Sequence, residues 1–553
     1  MRYRDIAVAV FALSLSSSAF AQKKIDEKTW YQQDLATDSV YGISLKKAYD
    51  FLKDKKSTPV IVAVIDGGID TTHEDLKSVL WRNVKEVPGN KKDDDSNGYV
   101  DDINGWNFLG NADGQDVNKE AEEKYRVYYK FKDRFSGKSI DTNTLSKLDK
   151  YEYLAWKRAA DEVADPKKSE EDAQAAMALT QIYATMQISD SILQQSFKKK
   201  EFNFEELEKM TPSDDKTSRA RMVFLGVRRF FPSFPDEMPN TEVISILQSE
   251  RDKYQNATNA RQKAPKQYRA DIVKDNYNDF KDSHYGNGDV YGGDPMHGTH
   301  VSGIIAAQRN NGIGIDGIAD NVKILSVRAV PDGDEYDKDI ALAIRYAVDN
   351  GAKVINMSFG KPYSPEKYWV DSAFVYAQQH DVLLVHAAGN DGDDIDSVLS
   401  YPSGDLIFYP GKQATNLITV GASGDPRIGG KEERNLAASF SNYGKKNVDV
   451  FAPGVKIYST VPKGNKYSYL SGTSMASPVV AGVAALIRSY FPQLSAEQVK
   501  YVIMNSVEKP NQFTKLPGGT TSVPFEDLSV SGGIINAYNA LKLAAILKPE
   551  KKK

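Results

Sequence analysis

Continuous apolar, β-branched runs recur along this chain. Residues 59–65 read PVIVAVI, with no polar alternation. Such a run predicts a strand buried on both faces, as in a parallel sheet. Similar runs occupy 322–327, 354–357, 382–385, 417–420 and 448–451. Helical periodicity lies between several of them, at 339–348 and 371–379. Alternating strands and helices predict an α/β fold: a doubly wound, mostly parallel sheet with helices on both faces. Residues 474–490 (SMASPVVAGVAALIRSY) are small and apolar nearly all round, which predicts a buried central helix.

The character changes from about 116 to 281. Lys, Glu, Asp, Gln, Tyr and Ala dominate, and amphipathic helices are predicted at 119–134, 145–163 and 170–198. Pro232, Pro235 and Pro239 punctuate a loop between helical pieces. The expectation is a mostly α-helical insertion.

The first residues have the pattern of an export signal. Arg2 and Arg4 precede an apolar run at 6–15, and Ala19-Phe20-Ala21 matches a small-x-small cleavage site before Gln22. The run is too short to span a bilayer, and no later stretch is long enough, so no membrane span is expected. With 71 Lys+Arg against 75 Asp+Glu, the net charge is −4, which does not point to nucleic acid. The chain has no Cys. That excludes disulfides, thiolate metal sites and a Cys nucleophile.

Four short segments carry candidate chemistry. Asp66 directly follows the first predicted strand, where open α/β sheets gather their sites; an Asp-Gly turn is the plainer reading. His297 opens HGTHVSG and could carry protons or merely cap a helix. His300 is three residues on, but the metalloprotease pattern His-Glu-x-x-His is absent. Ser474 enters the buried helix at its positive end, as a nucleophile or as a capping Ser. Asn390 ends AAGN and could donate to an oxyanion or simply sit in a turn.

Together the segments VIDGGID, HGTHVSG, NMSFG, AAGN and SGTSMASP resemble those of the subtilisin-like serine proteases, the subtilases. The order Asp66…His297…Ser474 is the subtilisin order. ITVGAS at 418–423, ASFSNYG at 438–444, FAPG at 451–454 and SGGIINA at 531–537 extend the likeness, which covers about 42–110 and 286–541. The resemblance implies an exported serine endopeptidase that needs no cofactor for its chemistry. Ser474 would be the nucleophile, His297 the general base and acid, and Asp66 the residue that orients the imidazole. Asn390 and the Ser474 N–H would bind the oxyanion. Ser358, Phe359 and Gly360 would pair with a protein or peptide substrate and edge its pocket. Ala387, Ala388 and Gly389 would form the other wall.

The resemblance divides the chain into an export signal (1–21), a discontinuous catalytic domain (22–110 and 286–545), the helical insertion (111–285) and a basic tail (546–553). Residues 22–57 look too short for the large inhibitory propeptide common in the family. Leu45, Ala48, Tyr49 and Leu52 instead have the spacing of an amphipathic helix.

Three departures stand out. Gly67 replaces the Ser or Thr usual after the catalytic Asp. The insertion separates Asp66 from His297, and both its ends flank triad segments. It would therefore shape or cover the substrate channel, or else face outward as a decoration. Phe408 precedes Tyr409-Pro410-Gly411-Lys412, which resembles the pocket-floor turn; a ring there would favour small P1 residues.

Asp93, Asp95, Asn97 and Asp101 alternate around Gly98, like the first part of a calcium loop. The twelfth position is Asn104, not Glu, so a structural calcium is weighed against an exposed acidic turn. Among rival functions, a silent or latent binding protein on the same fold would have its cleft covered by the insertion. A serine esterase is disfavoured, because Ala476 stands where Gly-x-Ser-x-Gly needs Gly. The sequence carries no sign of oligomeric state.

Overall fold

The computed structural model describes residues 25–549, apart from 232, 233, 235, 237, 410 and 429–434. The expected export signal, Pro232, Pro235, Pro410 and the end of the basic tail lie outside the described residues.

Seven strands form one parallel sheet: β1 (Val60–Asp66), β2 (Gly105–Asn107), β3 (Val322–Arg328), β4 (Val354–Met357), β5 (Leu383–Ala387), β6 (Leu417–Ser423) and β7 (Val450–Pro453). Their order is β2-β3-β1-β4-β5-β6-β7, and every pairing is parallel. The continuous apolar runs follow from burial on both faces. Val60, Val62 and Val64 point into one core, and Ala63 and Ile65 into the other. Two antiparallel hairpins lie outside the sheet: β8 (Ile457–Val461) with β9 (Lys466–Leu470), and β10 (Phe513–Lys515) with β11 (Ser522–Pro524).

Helices α1 (Leu35–Asp38) and α2 (Leu45–Leu52) precede the sheet. In α2, Leu45, Ala48 and Leu52 are buried in the larger core, and Tyr49 packs against it. Among the described residues, eight helices then lie between β2 and β3: α3 (Glu123–Phe135), α4 (Lys147–Ala164), α5 (Pro166–Phe197), α6 (Phe204–Lys209), α7 (Asp215–Phe230), α8 (Asn240–Gln262), α9 (Tyr268–Ile272) and α10 (Met296–Ala306). The remaining helices are α11 (Asp337–Asp349), α12 (Lys367–Gln379), α13 (Thr473–Tyr490), α14 (Ala496–Met504) and α15 (Ala537–Ile546). Helices α10 and α13 share one core with Val60, Val62 and Val64, while α11 and α12 build the other.

Sequence periodicity did not predict β2 or the hairpins. Strand β2 has only three residues, too few for a period, and is held by pairing to Ser326, Val327 and Arg328 of β3. The distal insertion has an apolar core of its own, including Met186, Leu193, Phe204, Phe224 and Leu247. The sheet order changes direction around β1, with β3 on one side and β4 on the other. In open α/β sheets, sites form outside the carboxyl ends of strands at such a point.

Candidate active site

Asp66 is the last residue of β1, and its side chain is only 5% exposed. The Gly67 N–H donates to its Oδ1 at 2.8 Å. His297, on the first turn of α10, places Nδ1 2.9 Å from each carboxylate oxygen. A carboxylate can only accept, so Nδ1 carries the proton and Nε2 is left as the base. Close approach of α10 to β1 makes this possible: a Cβ on Gly298 would lie 2.2 Å from the Gly68 carbonyl oxygen. Burial works to lower the His297 pKa. The charge and hydrogen bond of Asp66, with the charge of Asp294, outweigh it, and the pKa is raised above the ordinary imidazole value.

Ser474 is the second residue of α13, where helix geometry leaves its N–H without an intrahelical acceptor. Its hydroxyl donates to the Ser358 carbonyl at 3.2 Å. Among the described residues, no hydrogen bond joins Ser474 Oγ to His297. In the other direction, Ser358 Oγ donates to the Ser474 carbonyl at 3.0 Å. Pro478 lacks the N–H that would otherwise bond this carbonyl, so Ser358 supplies the missing donor. Asn356 Nδ2 donates to Ser358 Oγ at 2.9 Å, and Ser477 Oγ donates to Asn356 Oδ1 at 2.8 Å.

Asn390 is exposed, but its amide is oriented. The Thr473 N–H and hydroxyl donate to its Oδ1 at 2.8 and 2.9 Å, which turns Nδ2 away as a free donor. The Gly389 N–H donates to the same Thr473 Oγ1 at 3.1 Å. Gly389 has φ +105°, and a Cβ there would lie 2.3 Å from Asn442 Nδ2, so only Gly fits. Asn442 braces this loop: its Nδ2 donates to the Ala388 carbonyl at 3.0 Å, and its Oδ1 accepts from the Asp391 and Asp393 N–H groups. Ala387 and Ala388 are buried at the end of β5. Beside them, His386 Nε2 donates to the Phe359 carbonyl at 2.8 Å. Burial lowers the His386 pKa to about 4 and keeps the ring neutral.

The start of α13 thus contacts the Asn390 amide and Ser358, and Ser358 follows β4, the neighbour of the strand that ends in Asp66, at the sheet's carboxyl edge. The subtilase family model matches residues 57–524. The chain belongs to the subtilase family. Among its relatives is the thermophilic serine proteinase of Bacillus sp. (strain AK1), 44% identical over 216 residues. That match covers 38% of this chain and 46% of the relative. Subtilisin DY of Bacillus licheniformis is 41% identical over 207 residues, covering 37% of this chain and 67% of the relative. The chain thus spans under half of the first relative and about two thirds of the second. A solved structure of a protease from Pseudoalteromonas arctica PAMC 21717 aligns over 94% of this chain and 98% of that one, at 19% identity and a TM-score of 0.47. Such a likeness is too loose to add to the fold.

Other residues singled out from the subtilase resemblance fall less neatly. Phe408 packs edge-on to Tyr151 of α4 and Tyr368 of α12, with ring centroids 5.5 and 5.8 Å away. The backbone beside Gly360 belongs instead to Tyr401, whose carbonyl oxygen would lie 3.1 Å from a Cβ on Gly360. His300 is buried and bonds to the Ser468 carbonyl at 3.1 Å, with its pKa lowered to about 3 by burial. It does not share a ligand position with His297.

The acidic loop divides. Glu86, Asp93 and Asp95 offer oxygens within 4.8 Å of one another, a hard donor set suited to calcium. Asp101 is turned away to accept from the Gly89 and Lys91 N–H groups. Asn97 accepts from the Tyr99 N–H and donates to Asp102. Glu86 escaped sequence reasoning because it lies well before the loop; only folding brings it alongside. Thr473, Asn356, Ser477 and Asn442 were also missed, although each lies within a motif quoted above.

Proposed function

We propose that this protein is a serine peptidase hydrolysing peptide bonds through Asp66, His297 and Ser474. The observation that carries the reading is the Asp66–His297 pair, which leaves Nε2 unprotonated at the end of β1, next to the end of β4 whose Ser358 is hydrogen-bonded to Ser474. Ser474 Oγ rotates from the Ser358 carbonyl toward Nε2, gives up its proton there and bonds to the scissile carbonyl carbon. Apo catalytic hydrogen bonds commonly form only with substrate present. The resulting oxyanion takes hydrogen bonds from Asn390 Nδ2 and the Ser474 N–H. The imidazolium, stabilised by Asp66, returns the proton to the leaving amine as the C–N bond breaks. Water then repeats the sequence on the acyl-enzyme.

Ser358, Phe359 and Gly360 pair with the substrate backbone, and Ala387, Ala388 and Gly389 line the facing wall. A preference for small P1 residues goes with this reading if the Phe408 ring, which packs edge-on to Tyr151 and Tyr368, borders the pocket. Export is the proposed destination; it rests on the leader pattern and on relatives that include the cell wall-associated protease of Bacillus subtilis (strain 168). Among the described residues, no helix is long and apolar enough to cross a membrane. A structural calcium at Glu86, Asp93 and Asp95 would stabilise the loop without entering the chemistry.

The test is hydrolysis of an unfolded protein and of short peptides by the full chain beside Ser474→Ala. Loss on the order of 10⁶-fold in kcat is expected. Equal rates in the two proteins would remove Ser474 from the mechanism. No hydrolysis by either, together with no labelling of Ser474 by a fluorophosphonate, would favour a silent binding protein.

A further inference from the structure

Two chain segments leave the triad and form the banks of a channel. One is residues 329–335, tied to the triad where the Asp66 carbonyl accepts from the Ala329 and Val330 N–H groups. The other starts at Ser358, hydrogen-bonded to Ser474, and runs on to Lys361. The banks meet: Lys361 Nζ donates to the Glu335 carbonyl at 2.6 Å. Lys361 is also paired with Glu123 of the insertion at 2.8 Å and with Asp337 at 2.9 Å. The cavity left at this junction, lined by residues that include Phe359, Lys361 and Tyr401, holds only about 10 Å³. That is room for about one water.

The insertion also uses up the backbone groups that could lengthen the channel. On an extended edge, alternate residues face the same way, so Pro362 follows Ser358 and Gly360 as the next pairing position. Proline has no N–H, and its carbonyl accepts from Arg158 of α4. On the other bank, the Asp332 N–H and C=O pair with Asn118 and Glu120. Arg126 Nη1 donates to the Asp334 carbonyl at 2.9 Å, and Nη2 donates to the Glu335 carbonyl at 3.0 Å. From Ser358 to Lys361 is three residue steps, about 10 Å of extended chain.

The blind end is short of positive charge. Among the described residues, Glu120, Glu123, Asp334, Glu335 and Asp337 lie about Arg126 and Lys361, while the nearby Lys130 and Lys367 are held by Glu366 and Asp371. Among the described residues, the Glu335 carboxylate makes no hydrogen bond to another residue. A substrate's α-ammonium would supply the missing donor and charge.

We propose that the insertion makes this cleft blind, so that the enzyme takes peptides with a free amino end, receives the α-ammonium at Asp334 and Glu335, and cuts about three residues in. The inference rests on the serine-peptidase reading, with the Ser358–Gly360 edge on the acyl side of the scissile bond.

The test compares three fluorogenic substrates of one sequence on the unmodified enzyme: a free-amine tripeptide, its N-acetyl form, and the tripeptide extended by two residues at its amino end. The free-amine tripeptide is expected to have at least a tenfold higher kcat/KM than either of the others. Equal or faster cleavage of the acetylated or extended substrate, by enzyme that fluorophosphonate labels at Ser474, overturns the inference and leaves the peptidase reading intact. No turnover and no labelling overturns both. Asp334→Asn supplies a second readout: the ratio of kcat/KM for the free-amine to the acetylated tripeptide should fall severalfold. An undiminished preference would remove Asp334 from ammonium recognition.

Discussion

The sheet and the helical insertion are held by different forces. Around the sheet, Val62, Val64, Ile324, Val354, Val385 and Val480 are wholly buried in one continuous apolar core. The insertion also meets the sheet region through apolar contacts, such as Val273 in the second core and Val127 and Phe131 beside Tyr363, but it adds buried charge to them. Arg126 is ion-paired with Glu123; Lys361 bridges Glu123 and Asp337; Arg269 bonds Asp275 and Asp339. Apolar packing is indifferent to pH and to the loss of a single partner charge. A buried ion network is sensitive to both. Asp66, His297 and Ser474 therefore sit on the insensitive part, and the channel's far end on the sensitive one. The insertion also clasps residues 361–364 from outside: Tyr151 donates to the Ser364 carbonyl at 2.9 Å, and Tyr363 donates to Glu162 at 2.7 Å.

The contrast can be broken at the joint first. Lys361→Ala leaves Glu123 and Asp337 buried without their shared cation, which should cost about 3–5 kcal/mol in urea unfolding. An unchanged midpoint would mean the joint is not ionic in effect. On the apolar side, Asn390→Ala should lower kcat by about 10²–10³-fold, with KM and the unfolding midpoint nearly unchanged. A large stability loss there would erase the distinction.

Acidity sharpens the comparison further. Burial raises the Glu335 pKa to about 7, against the partial relief of Lys361. A carboxyl whose folded pKa is raised favours the folded state while protonated. Its contribution is full below the ordinary value of 4.5 and is lost as pH rises through about 7. Protection of α3 from limited proteolysis should therefore weaken between about pH 4.5 and 7. Glu335→Gln should flatten that dependence; a slope that survives the substitution would assign it elsewhere. His297 gives the opposite profile in activity. It must be neutral to act as a base, so kcat/KM should rise with pH around a midpoint above 6.5. The smallest expected effect is that of Thr473→Val, which removes the hydroxyl holding Asn390 and Gly389. A hydrogen bond worth about 1 kcal/mol corresponds to roughly fivefold in kcat. A loss as large as that of Asn390→Ala would make Thr473 a full partner in oxyanion binding.

Much of the sheet was legible because strands buried on both faces cannot alternate polar and apolar residues. The runs at 59–65 and 354–357 announce themselves in this way. Strand β2 was not legible: its pairing to β3, not its own three residues, makes it a strand. Asp66, His297, Ser474 and Asn390 could be read from their motifs and their order. Phe408 could not, because its environment depends on how α4 folds back across the chain. The acidic loop was legible in the spacing of Asp93 and Asp95, but Glu86, whose oxygen lies within 4.8 Å of theirs, is brought alongside only by folding.

By itself, then, the chain's pattern determined the α/β class, the subtilase likeness and the residues with the right chemistry for peptide-bond attack. Those are local properties, written in periodicity and in short motifs. Only the tertiary structure decided that Ser358 answers the carbonyl freed by Pro478, that Thr473 turns the Asn390 amide, and that Lys361 joins the two banks of the channel. Each of these depends on a hydrogen bond or ion pair between residues far apart in sequence, and no local pattern encodes that proximity.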